Sequence, residues 1–146
     1  ESIAGSTGLE VGEARDLMDV SEGTVYICPG GHDLTVKNGK IFIKQPHPDA
    51  LCTPSVDVMF ESLADEYGEN CAGIVLTGMG EDGKIGAKRI KDNGGYLLAQ
   101  DEASCVIFGM PRAVIEAGLA DEVAPARMIP HRALRWVNDR LRKIGA

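Results

Sequence analysis

No apolar run in this 146-residue chain approaches the roughly 20 residues of a membrane-spanning helix, so no insertion into a bilayer is expected. Residues 1–20 lack the charged start and apolar middle of a signal peptide. Positive charge is also short: 15 Lys and Arg stand against 22 Asp and Glu, a net charge of −7. A nucleic-acid partner requires a basic face and an anionic membrane surface attracts one, so both are excluded as partners. The four cysteines, Cys28, Cys52, Cys71 and Cys105, contain no C-x-x-C pair. A zinc site wants closer ligand spacing, and three of the four sit in or beside apolar runs, which predicts buried free thiols. A reducing, cytoplasmic compartment fits that usage, and no metal or cofactor is expected. Repeats and linkers are missing as well. With 44% hydrophobic and 25% charged residues the composition is that of an ordinary globular chain, long enough for one domain with a real core.

What is present centres on Ala72-Gly-Ile-Val-Leu-Thr-Gly-Met-Gly-Glu-Asp-Gly83. Its aliphatic start, bounded by glycine, predicts a strand buried on both faces, as inside a parallel sheet. The glycines that follow give a sharp turn and a close backbone approach. Residues 84–93 then read as a helix with Ile85 and Ile90 on one side, ended by Asn93-Gly94-Gly95. In open α/β sheets, turns of this kind lie at the carboxyl ends of strands, where ligands bind.

The flanking segments supply the rest of the fold. Residues 9–14 alternate weakly, and Thr24-Val-Tyr-Ile-Cys28 is a clearer strand stopped by Pro29-Gly30-Gly31. Residues 34–37 and 40–44 alternate across Asn38-Gly39, a strong hairpin signal, and predict a half-exposed antiparallel pair set beside the main sheet. Thr53-Pro54 reads as a helix cap followed by proline at the first helical position. Val56, Met59, Phe60, Leu63 and Tyr67 follow at helical spacing to Gly68. Tyr96-Leu-Leu-Ala-Gln100 is a buried strand, Gly109-Met-Pro111 opens a helix ending near Gly118, and residues 122–124 form a short strand. From Pro130 a closing helix carries Leu134, Val137, Leu141 and Ile144 on one stripe. Alternating strands and helices from residue 72 onward predict an α/β fold: a Rossmann-like, doubly wound, mostly parallel sheet with an added antiparallel hairpin.

Two chemistries compete for the central turn. Gly78, Gly80 and Gly83 spell G-x-G-x-x-G between strand and helix, with Asp101 after the next strand, the layout of a dinucleotide-binding turn. Glu81 and Asp82 would then face a pyrophosphate at the helix start, an anion-against-anion arrangement that opposes binding. Alternatively, a carboxylate at Asp82 could orient a histidine and stabilise its imidazolium as the acid of a Ser-His-Asp triad. Backbone N–H groups of the same turn could receive an oxyanion. Spacing alone also permits Asp82 to be no more than a helix cap.

Longer motifs bear on that choice. Thr77-Gly-Met-Gly-Glu-Asp-Gly83, residues 99–118 with Gly-Met-Pro-Arg at their centre, and Pro54-Ser-Val-Asp-Val-Met-Phe60 resemble the catalytic domain of the chemotaxis receptor methylesterases, the CheB family. Val25-Tyr-Ile-Cys-Pro-Gly30 and Val11-Gly-Glu-Ala14 are similar to further segments of that family, so the likeness runs from about residue 9 to residue 124. The resemblance implies a protein-glutamate methylesterase and glutamine deamidase, a carboxylic ester hydrolase acting on the cytoplasmic helices of methylated chemoreceptors. It implies acyl transfer through a serine nucleophile and a histidine base, with Asp82 as the triad carboxylate and the Met79 N–H in the oxyanion hole. A phosphorylated receiver domain or a kinase is the implied partner in the parent protein.

In that family the nucleophile stands in G-x-S-T-G-G and the base in H-M-P, both ahead of the segment resembling residues 11–14. Here Ala4-Gly-Ser-Thr-Gly8 offers Ser6, but no strand precedes it and a single glycine follows, so the strained turn that exposes a nucleophile is not built. His32, His47 and His131 all lack the H-M-P context. The expectation is that residues 1–146 are a partial methylesterase catalytic domain. It would carry the triad Asp without the Ser and His, would lack the first strands and the receiver domain, and would be inactive alone. The alternative is a non-catalytic, methylesterase-like module that binds receptor or regulator.

Overall fold

The computed structural model describes residues 8–145. Strands β1 (Glu10–Glu13) and β2 (Thr24–Ile27) pair in parallel, and β3 (Asp33–Lys37) and β4 (Lys40–Lys44) form an antiparallel hairpin. Helix α1 (Val56–Tyr67) leads through a 3-10 turn into β5 (Ala72–Val75), α2 (Lys84–Asp92), β6 (Tyr96–Gln100), α3 (Met110–Glu116), β7 (Glu122–Ala124) and α4 (Ile129–Lys143). Strands β5, β6 and β7 make a parallel sheet in that order, so β5 lies at its edge among the described residues. The hairpin turns through Asn38 (φ 52°) and Gly39 (φ 72°), the paired positive dihedrals for which Asn-Gly is suited.

Helices cover both faces of the parallel sheet, as the doubly wound reading requires. On one face Val75, Leu97 and Ala99 pack with Phe60 and Ala64 of α1, Ala87 and Ile90 of α2 and Val114 of α3. On the other, Leu98 and Ala124 meet Ile129, with Ala133 against them. Strand β6 is therefore buried from both sides, with Leu97, Leu98 and Ala99 fully enclosed.

Several local expectations shift. Strand β5 is buried on one face only: Gly73 and Val75 point inward, while Ile74 remains 38% exposed and lies outside the cluster that Leu98 and Ala124 form with Ile129 of α4. In α2, Ile85 is exposed and Ile90 buried; five residues advance a helix by about 500°, which leaves two side chains some 140° apart. The inward positions are Gly86, Ala87 and Ile90. Helix α1 is capped by Ser55, not Thr53, because the Ser55 hydroxyl accepts from Val58 N–H at 3.3 Å. Helix α4 presents Ile129, Ala133 and Trp136 inward, Trp136 stacking on Tyr96 at 5.7 Å between centroids. Leu134, Val137, Leu141 and Ile144 are consequently left exposed. Only Cys71 is buried; Cys28 and Cys105 are half-buried and Cys52 is exposed.

Candidate active site

Helices α1 and α2 cross where α2 has no side chain. A Cβ on Gly86 would lie 2.5 Å from Phe60 Cβ and 3.0 Å from the Asp57 carbonyl oxygen, so a glycine permits the helices to touch backbone to backbone. That contact brings the two N-termini side by side. The glycine turn after β5 then places Asp82 against the start of α1, with Gly83 at φ 103° as the cap of α2.

The Asp82 carboxylate spans the first turn of α1. Its Oδ1 accepts from Ser55 Oγ at 3.1 Å and from Asp57 N–H at 2.9 Å, and its Oδ2 accepts from Val56 N–H at 2.7 Å. Asp82 is thus a cap, but of α1, not of the helix it precedes in sequence. The favour is returned: Asp57 Oδ1 accepts from Gly83 N–H at 3.0 Å and Gly86 N–H at 2.7 Å, which caps α2. Buried Asp33 joins them, its Oδ1 accepting from Ser55 N–H at 2.8 Å. Three carboxylates therefore gather where the first-turn amides and the positive dipole ends of α1 and α2 favour negative charge. Burial, the largest influence, raises the Asp57 carboxyl above its ordinary value; the Gly86 amide opposes that shift and the Asp82 charge adds to it.

A carboxylate offers about four lone-pair positions, and Asp82 uses three, so Oδ2 retains capacity for one further donor. Asp82 lines a cavity of about 640 Å³ together with Asp33, Ser55, Asp57, Gly80 and Ile85. Another cavity, of about 520 Å³, lies between the hairpin and α1, lined by Phe42, Lys44, Ser62 and Glu66, and does not include the glycine turn.

The turn itself is clamped from the next crossover. Thr77 N–H donates to Gln100 Oε1 at 2.8 Å, and Thr77 Oγ1 accepts from the N–H groups of Val106 and Ile107. Gly78 N–H donates to the Ile107 carbonyl, and the Gly78 carbonyl accepts from the N–H groups of Gly109 and Met110. Buried Gln100 also donates from Nε2 to the Ser104 carbonyl and hydroxyl, fixing the loop that presses on the turn. A Cβ on Gly109 would lie 2.6 Å from the Gly78 carbonyl oxygen and 3.0 Å from Gly80 N. Within this clamped turn the N–H groups of Met79 and Gly80 have no acceptor among the described residues, and the Met79 side chain is exposed. Fixed amide donors with no internal partner are the raw material of an oxyanion-binding site.

The remaining candidates fall elsewhere. Ser6 lies outside the described residues. His32 Nδ1 contacts the Gly30 carbonyl at 3.0 Å in an exposed loop. His47 accepts from Asp49 N–H at 3.1 Å, borders the cavity and makes no hydrogen bond to Asp82. His131 sits in the first turn of α4. Asp101 is engaged locally, its Oδ1 accepting from Ser104 N–H and Oγ at 3.0 and 2.6 Å, which ties it into the loop rather than presenting it to a ribose. No group of His, Cys, Asp and Glu among the described residues is arranged to hold a metal, and no described helix is long and apolar enough to cross a membrane. Sequence reasoning missed Asp57 and Asp33 as members of the site. Asp57 sits within the Pro-Ser-Val-Asp motif, but its bonds to α2 cross 26 and 29 residues of sequence and leave no local signature.

A parallel α/β sheet with a carboxylate and turn amides that lack acceptors among the described residues at a strand's carboxyl end is the layout of a ligand-binding α/β domain, and comparison with known proteins narrows it. The CheB methylesterase family model matches residues 1–133, and the chain belongs to that family. It is 46% identical over 131 residues to a protein of Methanosarcina mazei named protein-glutamate methylesterase/protein-glutamine glutaminase 1, covering 87% of this chain and 37% of that protein. A protein-glutamate methylesterase/protein-glutamine glutaminase of Archaeoglobus fulgidus is 39% identical over 145 residues, covering 97% of this chain and 42% of the relative. The crystal structure of the Thermotoga maritima CheB methylesterase catalytic domain superposes with a TM-score of 0.83 at 39% identity, covering 92% of this chain and 73% of that domain. The expected Rossmann-like α/β class is thereby established. The chain spans about two fifths of the length of these curated relatives and about three quarters of the solved catalytic domain.

Proposed function

We propose that this chain is the Asp-bearing part of a protein-glutamate methylesterase and glutaminase, in which Asp82 orients and charge-stabilises the base histidine and the Met79 N–H receives the oxyanion. The observation carrying this reading is the Asp82 carboxylate, immobilised by three donors of α1, one turn away from N–H groups that have no acceptor among the described residues. A general base needs its orienting carboxylate held in one plane, because the wrong tautomer cannot take the nucleophile's proton. The amides stabilise the tetrahedral intermediate without reorganising as charge develops.

Serine attack and histidine proton transfer are assigned to residues outside this chain, in the portion its longer relatives possess. The family motifs that carry them precede the segment similar to residues 11–14. On this reading the substrates are γ-glutamyl methyl esters and selected glutamines on cytoplasmic receptor helices. A receiver domain or kinase supplies control, and the protein works in the cytoplasm. Hydrolysis then needs no metal or cofactor, since serine, histidine, aspartate and amide donors supply nucleophile, proton transfer and charge stabilisation.

The test is methanol release from methylated receptor, comparing the complete protein, the same protein with Asp82→Asn, and residues 1–146 alone. Release by the complete protein, a loss of about 10⁴-fold on substitution and silence of the isolated chain are expected. Failure of the complete protein to release methanol would favour a binding module. An undiminished rate in Asp82→Asn would leave Asp82 as a cap alone.

A further inference from the structure

Asp57 is the residue that the established chemistry of a triad does not call for, yet it is built into the site from two directions. Its own N–H donates to Asp82 Oδ1 at 2.9 Å, and its carboxylate holds Gly83 and Gly86, the residues that follow Asp82 and open α2. The backbone on the far side of Asp82 is thus tied to the same residue that binds the Asp82 side chain. The close approach of α1 to α2 at Gly86 leaves no slack in that loop of contacts. Among the described residues, Asp57 Oδ1 is the only side-chain acceptor for Gly83 N–H and Gly86 N–H.

Building on the assignment of Asp82 as the carboxylate that orients the base, we propose that Asp57 is a positioning residue for the reaction, locking Asp82 in place through the paired caps of α1 and α2. Asp57 touches neither the ester nor the imidazole. It fixes the main chain carrying Asp82 while Asp82 fixes the main chain carrying Asp57: rotation of the Asp57 carboxylate breaks the bonds at the start of α2, and rotation of the Asp82 carboxylate breaks those at the start of α1. Without the Asp57 carboxylate the buried amides of Gly83 and Gly86 lose their acceptor, and the turn from Gly80 to Gly83, which contains two residues with positive φ, is free to re-aim Asp82. Displacement of a catalytic group by about 1 Å can cost on the order of 10²-fold in rate. A purely positioning role leaves binding of the receptor helix unchanged, so the loss should fall on kcat and spare KM.

The experiment measures kcat and KM for methanol release from methylated receptor by the complete protein carrying Asp57→Asn, Asp57→Ser or Asp57→Ala, with Asp82→Asn alongside. Asparagine retains an oxygen that can accept from both amides, serine reaches at most one, and alanine neither. A graded fall in kcat is expected, from less than about tenfold for Asn to about 10²-fold for Ala, with KM within about twofold throughout. A series that lowers the melting temperature but keeps the wild-type kcat would overturn the proposal, as would a loss confined to KM. Where Asp57→Ala does not fold, the Asn and Ser pair decides alone, because equal kcat values in the two refute the grading. The Asp82→Asn control separates the two ideas. A large loss there with a flat Asp57 series removes only the positioning role, whereas no loss there removes the triad assignment on which it rests.

Discussion

Removal of the Asp82 side chain should destabilise the fold whether or not the chain catalyses anything, and the size of the effect can be worked from its bonds. In Asp82→Ala the Val56 and Asp57 amides and the Ser55 hydroxyl lose their acceptor at a partly buried helix start. Loss of a helix cap costs about 0.5–2 kcal/mol, and the carboxylate's interaction with the dipole adds about 1 kcal/mol in a partly buried setting. Removing the negative charge next to Asp57 returns part of that, since the Asp82 charge is one cause of the raised Asp57 carboxyl. A net loss of about 2 kcal/mol follows. For a chain of this length that is a fall in Tm of about 6–8 °C, from roughly 3–4 °C per kcal/mol.

Thermal and urea unfolding followed by far-ultraviolet circular dichroism provide the measurement, with Asp57→Ala and the double variant completing a cycle. The two carboxylates share one network, so a coupling of about 0.5–3 kcal/mol is expected. Strictly additive single effects, or a Tm for Asp82→Ala within 1–2 °C of the parent, would refute the reciprocal capping.

Further outcomes follow from neighbouring features. Gly109→Ala should destabilise by about 1–3 kcal/mol and cut the esterase rate of the complete protein, because its Cβ meets backbone atoms of Gly78 and Gly80; Gly78→Ala, whose Cβ meets the movable Met110 side chain, should cost less in unfolding experiments. Exposed Cys52 should react quickly with a thiol reagent at pH 8, while buried Cys71, its thiol pushed up to about 11 by burial, should react only on unfolding. Asp57 has a higher carboxyl pKa in the fold than in the unfolded chain, so the folded state holds its proton more tightly. Its contribution therefore becomes more favourable as pH falls through the folded pKa and less favourable as pH rises through it; subtraction of the Asp57→Asn stability–pH curve from the parent curve should show that sign, and the opposite slope would refute it.

Elements governed by local rules were legible in the sequence, and contacts between distant segments were not. The hairpin at Asn38-Gly39, the strand at residues 96–100 and the helix stop at Gly68 each follow from a few adjacent residues whose dihedrals or periodicity settle the structure. Burial depends on which element lands on which face, and there the reading slipped. Ile74 belongs to an apolar run, yet it remains 38% exposed, outside the cluster in which Leu98 of the neighbouring strand meets α4. The apolar stripe of α4 lost to Ile129, Ala133 and Trp136 because the ring of Tyr96 offers Trp136 a stacking partner. At the site, the glycine turn and Asp82 could be found from motif and resemblance, since turn geometry demands glycine. Asp57 could not, because a carboxylate that caps another helix obeys no spacing within its own.

The capping found for Asp82 raises the question of whether a cap can also be a triad member, and magnitudes separate the two roles. A substitution to Asn keeps one oxygen acceptor and should cost stability of about 1 kcal/mol, at the lower end for a helix cap. Domains are stable by about 5–15 kcal/mol, so such a loss leaves the complete protein essentially all folded and would not lower the measured rate through unfolding. A 10⁴-fold loss in rate corresponds to about 5.5 kcal/mol of transition-state stabilisation, at 1.36 kcal/mol per factor of ten. No loss of capping of that size can be built from the three bonds of Asp82, so a large kinetic effect with a small thermal one would have to come from the unused lone pair on Oδ2. Stability and rate changing in proportion would mean the opposite, that the carboxylate serves the two helices and nothing beyond them.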